Sequence, residues 1–185
     1  MIYLYEAFKS VIPMYILVGI LLFLLVLAID FKFKVAQTVS GQFARIIVHY
    51  GFIMSFIGIF LVTGLPSDNP EKVTQFEPFR SIIDTYQYAT DYAFFNAIVM
   101  NIVLFIPFSL FLYIMSKRLI LTLFISILLS ITIEVLQYIL PIGRISNVDD
   151  VILNTTGAII GCLVGLILRV FGHVIQLSKK QSKGS

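Results

Sequence analysis

Leu119-Ile-Leu-Thr122-Leu-Phe-Ile-Ser126-Ile-Leu-Leu-Ser130-Ile-Thr-Ile-Glu134-Val-Leu-Gln137-Tyr138-Ile-Leu140 is the stretch that decides the fold. A hydrocarbon core about 30 Å thick takes about 20 apolar residues of helix to cross, and this stretch has that length. Thr122, Ser126, Ser130, Glu134 and Tyr138 recur every fourth position and so trace one slowly rotating stripe. The helix is expected to cross a membrane with that stripe facing into a bundle, toward Asn101 or Asn154. Glu134 is where a functional reading starts, because a carboxylate inside a membrane helix is costly without a partner or a task.

Working outward, the whole chain has the same character. Hydrophobic residues make up 59% of its 185 positions and charged residues 12%, with a mean hydropathy of +0.99. An ordinary soluble domain is excluded by that composition. Five stretches are long and apolar enough to span: 11–29, 46–65, 97–116, 119–140 and 151–171. The first is read as a retained span, since its apolar run exceeds a signal peptide's and its basic residues follow it. The expected fold class is all-α, an integral membrane bundle of five transmembrane helices.

Charge orients the bundle. Lys32, Lys34, Arg45, Lys117, Arg118, Arg169, Lys179, Lys180 and Lys183 fall on one side, taken as cytoplasmic, and only Lys9, Lys72, Arg80 and Arg144 on the other. The N-terminus is then outside and the C-terminus inside. A net charge of +3 spread over membrane ends and a short tail does not point to nucleic acid. The tail is suited to leaning on anionic membrane lipid.

Several features read as structure first. Gly157, Gly161 and Gly165 have the small-xxx-small spacing that lets helix backbones approach, and Gly51, Ser55 and Gly58 form a weaker version in span two. Pro107 interrupts the backbone bonding of span three, and Asn101 in the same span needs a partner across a helix interface. Cys162 reads as a packing residue. His49 and His173 have no ligand-spaced neighbours, so no metal is expected, and no cofactor either. Asp149-Asp150 reads as the N-terminal cap of span five, with a metal site the weaker alternative.

The outer loop 66–96 carries Phe79, Ile82, Ile83, Tyr86, Ala93 and Phe94 at helical spacing from Pro78 onward. It is expected to lie along the outer membrane surface, as a connector or a lid. Glu134 precedes Leu140 by six residues, about 9 Å along a helix, which places it in the outer third of the membrane. An outer arginine, Arg80 or Arg144, is within reach there. A buried Glu–Arg or Glu–Asn link that fixes helix register is the structural alternative to a functional role.

Asn101-Ile-Val-Leu-Phe-Ile-Pro-Phe-Ser109, Glu134-Val-Leu-Gln137 and Arg144 with Asp149-Asp150-Val-Ile-Leu-Asn154-Thr-Thr-Gly157 strongly resemble the VanZ-like family of bacterial membrane proteins. Glu77-Pro-Phe-Arg80 resembles that family's Asn-Leu-Ile-Pro-Phe-Arg motif, with Glu77 where Ile is usual, and Ser109 stands where Gly is usual. These motifs cover roughly residues 45–170. The resemblance implies a multi-pass protein of the bacterial cell membrane, whose namesake confers low-level teicoplanin resistance. By residue match, the candidates for a shared function are Arg80, Asn101, Glu134, Gln137, Arg144, Asp149, Asp150, Asn154 and Gly157. The chain then divides into an N-terminal transmembrane helix with its basic loop at 1–44, a VanZ-like membrane domain at 45–171, and a basic cytoplasmic tail at 172–185.

Two functions from different classes follow. In one, a non-enzymatic resistance or envelope factor binds a lipid-linked cell-wall precursor or the lipoglycopeptide antibiotic at its outer face. In the other, a membrane enzyme acts on a lipid phosphate or lipid-linked precursor, with Glu134 as general acid or base and Arg80 and Arg144 holding phosphate. The first is favoured, since no nucleophile motif, metal-ligand set or second buried carboxylate at comparable depth accompanies Glu134. A carrier with five spans would need a homo-oligomer, for which the Gly157, Gly161 and Gly165 face is the candidate surface.

Overall fold

The computed structural model describes residues 9, 11–33, 39–64, 74–140, 143 and 146–182, with side chains except those of 26–33, 39–45, 96 and 173–182. Its elements are α1 (Ile12–Phe33), α2 (Val39–Gly64), β1 (Thr74–Gln75), α3 (Arg80–Tyr88) and α4 (Asp91–Phe94). After a π-helical turn (Phe95–Val99) come α5 (Met100–Ser116), α6 (Leu119–Ile139), β2 (Ser146–Asn147) and α7 (Val148–Ser182). Ile46–Gly64, Asp91–Ser116, Leu119–Ile139 and Val148–Gly172 are long and apolar enough to cross a membrane, and Ile12–Leu25 is a shorter apolar stretch within the 22-residue α1. The chain is an all-α, multi-pass membrane bundle.

Span three begins earlier than its apolar run suggests. Thr90 caps α4 by accepting the Ala93 N–H at 3.3 Å, and the helix then runs through the π turn into α5, which Pro107 does not end. The outer-loop helix is therefore only α3, and Phe94 belongs to the span. Tyr86 and Phe94 still meet edge to face across the break, 6.4 Å between centroids. No residue of α3 is buried, so its apolar side chains Ile83, Tyr86 and Tyr88 lie on the outside of the protein.

The α5–α7 pair makes the most extensive helix contact, and the glycine stripe explains it. A Cβ at Gly157 would lie 2.1 Å from the Ile102 carbonyl oxygen, and one at Gly161 2.3 Å from that of Ile106. At Gly165 it would meet the Tyr113 ring at 2.7 Å. The stripe is thus consumed inside the protomer, which removes it as the surface for a homo-oligomer. Ser109, the departure from the family's Gly, fills part of this seam. Its Oγ donates to the Phe105 carbonyl at 2.9 Å and occupies the space a Cβ on Gly161 would need.

The apolar core lies between α2, α5 and α6, where Ile59, Phe105, Phe108 and Ile133 are buried together. Phe52 of α2 stacks against Phe108 at 5.4 Å between rings. Helix α1 leans on α2, with the Tyr50 hydroxyl donating to the Gly19 carbonyl (2.9 Å) and that of Tyr15 to Met54 (3.1 Å). The other side of α1 presents Ile16, Leu17, Ile20 and Leu24 to the outside, as a lipid-facing helix does.

Candidate functional site

The polar stripe of α6 turns inward as expected, then changes rule. Thr122, Ser126, Ser130 and Glu134 are buried, but Tyr138 is exposed and Gln137 is buried instead. Steps of four residues advance about 40° beyond a full turn, so a row kept strictly at that spacing rotates out of the bundle. The switch to a three-residue step at Gln137 brings it back. Below Glu134 the row is tied to α7, because Asn154 Nδ2 donates to Ser130 Oγ at 2.8 Å. Above it the row is tied to α2, because Gln137 Nε2 donates to the Thr63 carbonyl at 3.1 Å.

Glu134 does not pair with an arginine among the described residues. Its Oε2 accepts the Asn147 backbone N–H at 2.7 Å, and the Ser146 side chain also hydrogen-bonds the carboxylate. Both donors belong to β2, the two-residue strand before α7, which pairs in parallel with β1 from the outer loop. Thr74 lies opposite Ser146 and Gln75 opposite Asn147. The Glu134 carboxylate thereby anchors the place where two outer connections join. Arg144 falls outside the described residues.

Arg80 is elsewhere. It sits exposed at the start of α3, with Nη1 2.6 Å from Glu77 Oε2 and Nε 3.8 Å from Asp84 Oδ2. The hydrogen bond to Glu77, then the charges of Glu77 and Asp84, push its basicity above the ordinary guanidinium range. Glu77 is also the residue that departs from the family motif, so in this chain Arg80 is occupied locally. The expected Glu134–Arg80 link is not formed.

Asp149 does something the sequence reading did not assign to it. The sequence predicts that it caps its own helix, but that cap is Asn147, whose Oδ1 accepts the Asp149 N–H at 3.0 Å. This frees the Asp149 carboxylate, which is 0% exposed, to reach across to α3. Oδ1 accepts the Phe79 N–H at 2.5 Å and Oδ2 the Ile82 N–H at 3.1 Å. Phe79 has φ 66°, a left-handed conformation uncommon for a non-glycine residue. Asp150 is half-buried in the first turn of α7. Asn101 donates to the Ala97 carbonyl at 3.0 Å within its own helix and does not join the Glu134 cluster.

Glu134, Ser146 and Asn147 line one side of a groove of about 390 Å³ whose other walls are Phe76, Ile131, Val135, Tyr138, Val148 and Val151. Ile131, Val135, Tyr138 and Phe76 are exposed, so the groove opens to the outside of the bundle, on a side lined by apolar residues of α6. It offers an apolar trough with a carboxylate at its inner edge. Among the described residues no three His, Cys, Asp or Glu side chains gather as a metal set.

The VanZ/LLP1 family model matches residues 14–169. The chain belongs to the VanZ/LLP1 family. The match takes in α1, which the sequence motifs alone had left outside. No curated protein and no solved structure matches the chain. In this VanZ/LLP1 chain the motif residues Glu134, Asp149 and Asn154 converge on the α6–α7 end of the bundle, together with Ser146 and Asn147. Those two were missed because a two-residue parallel pairing between distant loops leaves no periodic signal. The one available clue was that Asn147 precedes an apolar helical run and is a favoured capping residue.

Proposed function

We propose that this protein is a non-enzymatic cell-envelope factor of the bacterial cell membrane. It takes the lipid portion of an acyl-bearing ligand, a lipid-linked wall precursor or a lipoglycopeptide such as teicoplanin, into the groove beside Glu134. The observation that carries this reading is the groove itself, apolar, open to the outside of the bundle and edged by one carboxylate. Family membership supports it, because the family's namesake acts against teicoplanin. The positions of the acidic groups favour binding over chemistry. Glu134 is engaged by β2 and Asp149 by α3, and Arg80, the phosphate clamp an enzyme would use, is held by Glu77 and Asp84 on the exposed loop.

The test is to delete the gene in its host and compare teicoplanin with vancomycin susceptibility, since only teicoplanin carries a fatty-acyl chain. A selective change toward teicoplanin is expected. It should be restored by the wild-type gene and not by Ile131→Trp, which fills the groove from an exposed position. An equal change for both antibiotics, no change for either, or full restoration by a normally accumulating Ile131→Trp overturns the reading.

A further inference from the structure

At the opposite end of the bundle from Glu134, a cavity of about 230 Å³ is lined by Tyr113, Ile114 and Lys117 from the end of α5 and by Gly165, Leu168 and Arg169 from α7. Its shape follows from two local features. Gly165 leaves room beside Tyr113 that a Cβ would close. Lys117 ends α5 in the left-handed conformation, φ 56°, with its N–H donating to the Tyr113 carbonyl at 2.8 Å. Glycine is the usual residue at such a helix end, so a lysine here puts a cation where a strain-free side chain would be absent.

The charges of this end are unbalanced. Nine basic residues fall on this side of the sequence-derived topology, and Asp30, which directly follows the first apolar stretch, is the one acid that joins them. No carboxylate lines the cavity, and among the described residues neither Lys117 nor Arg169 forms an ion pair. Two cations from different helices therefore flank one cavity with an apolar floor, at the depth where a span ends. A basic pocket between helices at the cytoplasmic surface is suited to an anionic headgroup.

We propose that this cavity is a specific site for an anionic phospholipid of the inner leaflet, with Lys117 and Arg169 holding the headgroup phosphate and Tyr113, Ile114 and Leu168 receiving the first methylenes of a chain. The site is separate from the Glu134 groove and does not depend on what that groove binds. Free phosphate satisfies the two cations but leaves the apolar floor empty, so the lipid is the occupant.

The experiment places the full chain in nanodiscs of phosphatidylcholine with a minor share of phosphatidylglycerol and measures retained lipid by native mass spectrometry. Wild type should retain phosphatidylglycerol over phosphatidylcholine. Lys117→Gln and Arg169→Gln should each weaken that preference about fivefold, the equivalent of ~1 kcal/mol per surface cation. The tail variant Lys179→Gln/Lys180→Gln removes the same charge as the double pocket variant Lys117→Gln/Arg169→Gln and should weaken the preference clearly less, since it touches only diffuse surface attraction. Lys117→Arg should keep the preference. Added inorganic phosphate should not displace the lipid. Equal loss in tail and pocket variants means diffuse attraction and overturns the site, as does a preference that survives both pocket substitutions. Displacement by inorganic phosphate alone means an anion site without lipid selectivity and overturns the lipid assignment. If the double variant does not accumulate, the two single substitutions decide by the same criterion.

Discussion

Asp149 of α7 accepts the backbone N–H of Phe79, 70 positions upstream, at 2.5 Å, and its second oxygen accepts that of Ile82 at 3.1 Å. Phe79 and Ile82 are the N-cap and N3 positions of α3. In a capping box two side chains of the same helix satisfy those two donors reciprocally. Here one carboxylate from a different helix satisfies both, and α3 has no side-chain cap of its own. Asn147 connects this clamp to Glu134, donating its N–H to one carboxylate and accepting the N–H of the residue that bears the other.

Asp149→Asn is therefore expected to be damaging. If Asp149 capped α7, an amide would serve nearly as well. Against two backbone donors, an amide offers one acceptor and turns its NH₂ toward the other N–H. The loss should be about 1.5–3 kcal/mol, the size of one hydrogen bond to a charged group. Hydrogen exchange at the Phe79 and Ile82 amides should rise in this variant before the spans loosen. Unchanged protection at both amides would show that Asp149 does not hold α3.

The glycine seam predicts a ranking. Alanine at Gly157 or Gly161 would push a methyl into backbone carbonyls of α5, which cannot move without separating the helices. Alanine at Gly165 meets a tyrosine ring, which has some freedom to turn. Overpacking costs about 1–3 kcal/mol where the surroundings can give and more where they cannot, so Gly165→Ala should melt closer to wild type than the other two in detergent. The reverse order would mean that α5 and α7 are not in register at these glycines.

Asn154 is 3% exposed, and its Oδ1 has no hydrogen-bond partner among the described residues although Nδ2 is bonded to Ser130. Interhelical hydrogen bonds within membranes average about 0.6 kcal/mol, and burying an unsatisfied acceptor offsets such a gain. Asn154→Leu, which keeps the branching and the number of side-chain heavy atoms, should leave thermal stability within about 1 kcal/mol of wild type by these terms alone. If the stable leucine variant also loses function in the host, Asn154 acts through its amide group. A large drop in melting temperature would instead make it a structural link.

How far the sequence carried these conclusions depended on the range of each signal. Apolar length and charge asymmetry are local, and they located the spans to within a few residues except at Asp91–Phe94, where polar residues and the π turn hide a helix that is already part of span three. The inward face of α6 was legible as far as Glu134 and misleading at Tyr138, because a four-residue repeat rotates relative to the helix. The partner of the glycine stripe was not legible, since small-xxx-small spacing marks a close approach without saying to which helix. In Ser146-Asn-Val-Asp-Asp150, four residues are of types that cap helices, and only the position of α3 distinguishes Asn147 as the cap from Asp149 as the clamp. Arg80 was assigned to the cluster by motif alone, while its neighbours Glu77 and Asp84 were close enough in sequence to claim it.

Glu134 separates structure from ligand binding most sharply. The Asn147 N–H and the Ser146 side chain are its partners. Glutamine can preserve both contacts, its carbonyl oxygen accepting from Asn147 while its NH₂ donates to the Ser146 oxygen. Alanine preserves neither and leaves the Asn147 N–H buried without an acceptor, a cost of about 1–3 kcal/mol. Glu134→Gln should therefore accumulate in membranes close to wild type, and Glu134→Ala should accumulate less. If the carboxylate at the edge of the groove also contacts the ligand through its charge, the glutamine variant will lose the teicoplanin-selective phenotype at normal abundance. Quantifying both variants in the same membranes that are scored for susceptibility decides between the two roles. A stable glutamine variant with the full phenotype would confine Glu134 to anchoring β2, and the apolar walls of the groove would then carry the binding alone.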